Sequence, residues 1–261
     1  LDAYQFAVLH NEMSTNTGQA KQFTGQTIDG VYYGNPEEFI SSYNTAGGTL
    51  PSTDWQEEVL QTGHVMSHQL SLSGGTTTTQ YALSLNRYDH EGIIIGGDYA
   101  RTSVRMNLDS KVSKWLAVGA SVTFSNNISN NSGSETGMQW FNGGTISAAI
   151  KAWPMFTPYD EEGNINVEAG AKTMRGNPVA YATEAKNILT NNRLLANAFT
   201  TINLYEGLSL KISFGADVND ISRNRYFPKT TYEGYVQNGA AAKSTSNILS
   251  WLNENILSYE K

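Results

Sequence analysis

Hydrophobic and polar positions alternate with a period of two along several stretches, which is the signature of strands that keep one apolar face. In residues 207–219, Leu208, Leu210, Ile212, Phe214, Ala216 and Val218 fall on one side, and Ser209, Lys211, Ser213, Gly215 and Asp217 on the other. Residues 114–126 set Leu116, Val118, Ala120, Val122 and Phe124 against Ala117, Gly119, Ser121, Thr123 and Ser125. Residues 101–113 set Val104, Met106 and Leu108 against Arg105, Asn107 and Asp109. Less regular strands are predicted at 65–73, 79–94, 193–205 and 247–261.

The connections sharpen this picture. In order they are long (1–64), short (74–78), medium (91–99), short (112–115), long (127–192), short (205–207) and long (220–246). An antiparallel meander that alternates in this way gathers its large loops at one end, as outer-membrane barrels do, whereas a β-sandwich usually mixes them. The expected fold is therefore all-β: part of an antiparallel up-and-down transmembrane β-barrel, about seven strands long. Two residues misfit the pattern. Arg87 continues the parity of Leu83 and Leu85, and Glu254 that of Leu252 and Ile256; each reads as a bulge or as a side chain snorkelling at the membrane edge. Tyr88, Tyr99 and Phe124 towards the long loops, with Trp115 and Tyr205 at short turns, fit aromatic girdles, although aromatics are common in strands generally. Within the loops, 2–13 is spaced as a short helix, and Thr53 or Asp54 caps another running through Leu60.

Composition supports the all-β reading and removes alternatives. Only 16% of the residues are charged, and 24 Gly, 14 Tyr, 9 Phe and 5 Trp supply turn and strand chemistry. A net charge of -7 leaves no basic stripe for phosphates, so nucleic acid is not the expected partner. Without cysteine there is no disulfide, thiolate nucleophile or Cys-based zinc site. No run approaches the ~20 apolar residues of a membrane-spanning helix, since Ile93-Ile94-Ile95 stops at Gly96-Gly97. Barrel strands need only about 9–11 residues each. The chain starts at Leu1 without a signal peptide and reads as a piece of a longer protein.

Residues 53–129 closely resemble the SusC/RagA family of TonB-dependent outer-membrane transporters. The resemblance is carried by Thr53-Asp54-Trp55-Gln56-Glu57-Glu58-Val59, His68-Gln69-Leu70-Ser71-Leu72-Ser73-Gly74-Gly75, Tyr81-Ala82-Leu83-Ser84-Leu85, Glu91-Gly92-Ile93 and Asn107-Leu108-Asp109-Ser110-Lys111-Val112-Ser113-Lys114-Trp115-Leu116. Weaker echoes in 1–11, 159–164, 177–180, 207–211 and 251–259 extend it over nearly the whole chain. It implies localisation in the Gram-negative cell outer membrane, short turns facing the periplasm, and long loops facing outward. It also implies import of oligosaccharides or peptides with a SusD-like surface lipoprotein, powered by the TonB complex acting on a plug segment. The family's barrel has about 22 strands, so the expected division here is wall and loops only, without the plug. Residues 1–64 would be a loop with short helices, 65–126 barrel wall, 127–192 a long outer loop, 193–219 a hairpin, 220–246 an outer loop and 247–261 a strand. In the tight turns, Gly74-Gly75 is expected to take positive φ, and Trp115 to sit at the interface.

Candidate chemistry is sparse. His64 and His68 have a helical metal-ligand spacing on what reads as a strand. Asp160-Glu161-Glu162-Gly163-Asn164 offers carboxylates for calcium or glycoside hydrolysis, but reads more simply as a solvated turn. No phosphate loop or nucleophile elbow occurs, so no enzyme and no cofactor is expected. Trp140, Phe141 and Trp153 are candidates for stacking on sugar rings, or alternatively for the long loop's own core. The competing readings are a soluble secreted β-sandwich that binds carbohydrate and, more remotely, a carbohydrate hydrolase.

Overall fold

The computed structural model describes residues 1–28, 31–39, 51–130, 144–167 and 176–260. A short pair, β1 (Gln26–Ile28) and β2 (Val31–Tyr33), stands apart. The main sheet comprises β3 (Val65–Gly75), β4 (Thr79–Glu91), β5 (Asp98–Lys111), β6 (Leu116–Asn130), β7 (Lys186–Tyr205), β8 (Leu208–Phe227) and β9 (Ala240–Tyr259). These seven pair antiparallel in sequence order, and β3 and β9 are open edges.

The register places the apolar residues of neighbouring strands side by side. One row pairs Leu70, Leu85, Val104, Phe124, Leu194, Val218 and Leu249 in turn, and the next pairs Leu72, Leu83, Met106, Val122, Ala196, Ala216 and Trp251. Many of these side chains are exposed, Leu70, Met106, Leu249 and Trp251 among them. A sheet that leaves so much apolar surface uncovered has its core outside itself. Above these rows, on the same face, runs a polar one: His68, Arg87, Thr102, Asn126, Asn192, Asp220 and Asn247.

That polar row accounts for Arg87 without a bulge. Its guanidinium forms a bidentate pair with Asp89, with Nε 2.8 Å from one carboxylate oxygen, and donates to the Thr102 hydroxyl at 2.9 Å. Glu254 lies opposite Ser213 on the polar face together with Leu252 and Ile256, so in β9 those two apolar residues, not the glutamate, depart from the pattern. Their counterparts on the apolar face are Asn253, which donates to the Ser213 carbonyl at 3.1 Å, and Asn255, which donates to Asn253 at 2.8 Å.

Four strand ends run further into the loops than alternation predicts. β6 continues to Asn130, β7 starts at Lys186, β8 continues to Phe227 and β9 starts at Ala240. Beyond the apolar rows apolar and polar residues are mixed on both faces, with Ile128 and Ile188 on one and Leu189 and Ile221 on the other, so the period of two disappears while backbone pairing continues. The connections shorten accordingly to 131–185 and 228–239.

The expectation of positive φ at Gly74-Gly75 is not met. Both glycines end β3, and the turn itself is 76–78, closed by the Thr76 amide on the Thr79 carbonyl at 2.7 Å. Glycine is needed there for close approach: a Cβ on Gly75 would lie 2.4 Å from the Thr79 carbonyl oxygen, and one on Gly74 would lie 2.7 Å from the Tyr81 hydroxyl. The β7–β8 turn does use a left-handed glycine, Gly207 at φ 76°. Since the Gly75 clash is with backbone, Gly75→Val is expected to cost about 1–3 kcal/mol in a urea titration of the full-length protein. Unchanged stability would show that the hairpin relaxes freely.

Successive tight turns are staggered. Gln80, beside the first turn, pairs with Asp109, and β5 continues two residues further to Lys111; Ala117 pairs with Thr201, and β7 continues two residues further to Asn203 before the bulge at Tyr205. One residue per strand, at about 3.3 Å rise and 4.8 Å strand spacing, is a tilt of about 35°, in the range of closed barrels.

The connections at the opposite end carry the molecule's buried core. α1 (Ala3–Asn16) begins with a capping box between Asp2 and Gln5 and buries Ala3 and Ala7 against Phe23 and Phe39. α2 (Trp55–Val59) is capped by Asp54, which accepts from the Gln56 and Glu57 amides. Trp55 and Val59 pack against Ala149 of α3 (Thr145–Lys151) and Val179 of α4 (Pro178–Thr183), with Ile95 from the β4–β5 connection at the margin. α5 (Tyr232–Gln237) joins α4 through Tyr232 and Tyr181.

Candidate functional site

The polar face of the sheet is the surface with the most chemistry. β5 turns Arg101, Arg105, Asp109 and Lys111 to it, and β7 turns Arg193. β8 contributes Lys211, Asp217, Arg223 and Arg225, and β9 contributes Glu254. Seven cationic residues thus stand against three carboxylates in a chain of net charge -7. Sorting residues by strand parity separates a basic face from an acidic remainder.

Local contacts hold several of these groups in place. Arg193 is paired with Asp217 across β7 and β8, at 2.9 Å from Nε and 2.6 Å from Nη2. Arg105 donates from Nε to the Thr123 hydroxyl at 3.2 Å. The Arg101 guanidinium lies 5.7 Å from the Tyr88 ring centre, and the Lys211 ammonium 4.8 Å from that of Phe199, both in cation–π range. Tyr88 and Tyr99 face this polar side with their rings 5.9 Å apart, so they do not form an outward girdle. Phe124 does lie on the apolar face. Between the arginines the floor is small and hydroxylated: Ser103 pairs with Ser125, which pairs with Arg193.

The second candidate region is the aromatic part of the loops. Trp153 is enclosed by Phe6 and His10 at 5.6 Å, Phe23 at 5.8 Å, and Tyr33 and Phe156 at 6.2 Å between ring centres. Its carbonyl accepts the Trp55 indole N–H at 2.8 Å. This is the packing of a loop core. Trp140 and Phe141 lie outside the described residues. Among the other loop groups, the Tyr32 hydroxyl donates to Glu38 at 2.7 Å, which holds its pKa above the usual tyrosine value.

The remaining candidates are not brought together. His64 lies 3.3 Å from a Glu91 oxygen, His68 faces the apolar side in β3, and no metal-binding cluster occurs among the described residues. Asp160, Glu161 and Glu162 are all exposed on a tight hairpin. There the Asn164 amide donates to the Asp160 carboxylate at 2.7 Å, and Gly163 takes φ 83°.

Similarity to known proteins follows this architecture. The chain is 27% identical over 255 residues to TonB-dependent receptor P3 of Formosa agariphila, a match covering 95% of the chain and 25% of that receptor. It is 25% identical over 217 residues to TonB-dependent receptor P26 of the same organism, covering 81% of the chain and 21% of the receptor. Among solved structures, the RagAB peptide importer in its open-open state superposes with TM-score 0.64 at 19% identity, over 97% of this chain and 29% of that one. Another structure of the RagAB peptide transporter gives TM-score 0.61 at 20% identity, over 85% and 25%. No protein-family profile matches the chain. The chain thus spans about a quarter of the length of its curated relatives.

Proposed function

We propose a transport role from the following premise: the chain matches part of the barrel of a SusC/RagA-type TonB-dependent receptor of the Gram-negative outer membrane. In this reading it supplies wall and outer loops to an importer of oligosaccharides or peptides. The apolar face meets outer-membrane lipid, the polar face lines the lumen, the tight turns face the periplasm, and the packed loops face the cell exterior. A SusD-like surface lipoprotein is the expected lid, and the TonB complex, acting on a plug segment, the energy source. The observation that carries the reading is the single seven-stranded meander, apolar on one face and polar on the other, with every tight turn at one end.

The β-sandwich alternative lacks support, because a sandwich needs a second sheet against the apolar face and, among the described residues, the only other sheet is the β1–β2 pair. The hydrolase reading loses its footing with three carboxylates splayed on an exposed turn. The test is uptake of labelled oligosaccharides and peptides by cells carrying the full-length receptor, with the inner-membrane gradient intact or dissipated. Uptake should stop when the gradient collapses and when the partner lipoprotein is deleted. Uptake indifferent to the gradient would reject TonB-dependent import.

A further inference from the structure

We propose that the wall from β4 to β6 is a subsite for cargo bearing oxyanions, with Arg101 and Arg105 of β5 as its recognition groups. The inference rests on the reading of the polar face as the lumen lining. It begins from the charge asymmetry: a chain of net charge -7 presents on this one face four more cations than carboxylates. A lumen wall of this sign raises the local concentration of anions, as rings of Arg and Lys do in anion-selective pores.

The local geometry narrows the site. Arg193 is neutralised by Asp217. Among the described residues, neither Arg101 nor Arg105 has a carboxylate partner. Both side chains are exposed on the same face of β5, and Ser103 lies between them. Arg105 is steadied by Thr123 through Nε, which leaves its terminal nitrogens to face the passage; Arg101 is steadied by the Tyr88 ring. Arg101 leans toward Tyr88 of β4 and Arg105 toward Thr123 of β6, so at about 3.3 Å per strand residue the two guanidiniums stand too far apart to share one group. Each can take its own carboxylate or sulfate by the forked geometry that distinguishes arginine from lysine, over a floor kept low by Ser103 and Ser125, as successive acidic units of an oligomer would require. The cargo class is an acidic oligomer, either a uronate-type oligosaccharide or a peptide rich in Asp and Glu.

The test is equilibrium binding to the purified full-length receptor, which does not depend on whether uptake is energised and therefore fails separately from the transport reading. The probes are a fluorescent trigalacturonate against its neutral methyl ester, and an Asp-containing peptide against its Asn counterpart. The expected result is an acid-over-neutral preference of about tenfold in at least one pair, falling with salt, and a ratio near one in the R101Q/R105Q double variant with neutral-probe binding unchanged. Preference in the sugar pair alone assigns uronates, and in the peptide pair alone acidic peptides. Absence of any preference, a preference the double variant retains, or equal loss of acidic and neutral binding would each overturn the proposal.

Discussion

Phe214→Arg is expected to lower the stability of the folded receptor by about 2–4 kcal/mol and to deplete it from the outer membrane, the cost of a charge near the middle of a lipid-facing strand. Phe214 is exposed on the apolar face between Ala198 and Asn253 and stacks on Trp251 at 6.4 Å. Its neighbour Ser213 points to the polar face, so Ser213→Arg should change stability by no more than about 0.5 kcal/mol. Urea unfolding in bilayers, with membrane fractionation, measures both variants. Equal tolerance of the two would mean that lipid does not cover the apolar face.

The second large effect is expected in the loops. Tyr181 is fully buried with Ala148 and Ala185, donates its hydroxyl to the Glu233 carboxylate, and packs so closely that a Cβ on Gly176 would lie 2.3 Å from its ring. Tyr181→Ala therefore removes ring packing and strands a largely buried carboxylate, at a cost of about 3–5 kcal/mol. Tyr181→Phe keeps the ring and should cost about 1–3 kcal/mol. Because α4 and α5 belong to different connections, the loss should appear as raised hydrogen exchange in both 177–185 and 230–238 while the strands stay protected. Protection lost from only one of the two segments would show that the loops do not depend on each other.

The strands were legible in the sequence wherever one face meets an apolar medium and the other water, and that condition also limits what could be read. In β8, Leu210 to Val218 announce themselves by alternation, whereas Asp220 to Phe227 pair just as regularly but carry no such signal. In β9 parity misled, because Leu252 and Ile256 look like an apolar row but lie beside Gly215 and Lys211 on the polar face. Only pairing with β8 reveals which side a mixed strand presents. Gly74 and Gly75 were rightly marked as special, but the reason is crowding from Tyr81 and Thr79, which belongs to tertiary geometry. The basic face was present in the sequence all along, since Arg101 and Arg105 share a parity with Lys111. A charge summed along the chain hides this face, because the acidic residues elsewhere outweigh it. The loop core was hidden for a different reason: Trp153 meets Phe6 and Phe23 from more than a hundred residues away, and no local pattern encodes such a contact.

The stagger of the tight turns has one more consequence. If those turns define a level, the polar row on the apolar face cannot be level as well. His68 and Arg87 stand seven and eight residues from the turn-side ends of β3 and β4, while Asp220 and Asn247 stand twelve from those of β8 and β9. At about 3.3 Å per residue and a tilt near 35°, the apolar band is about 13 Å shorter at β3 than at β9. The wall is thus a wedge in hydrophobic thickness, and a bilayer must thin along its narrow side or receive there the upward-reaching Arg87, whose charge is returned toward water by Asp89.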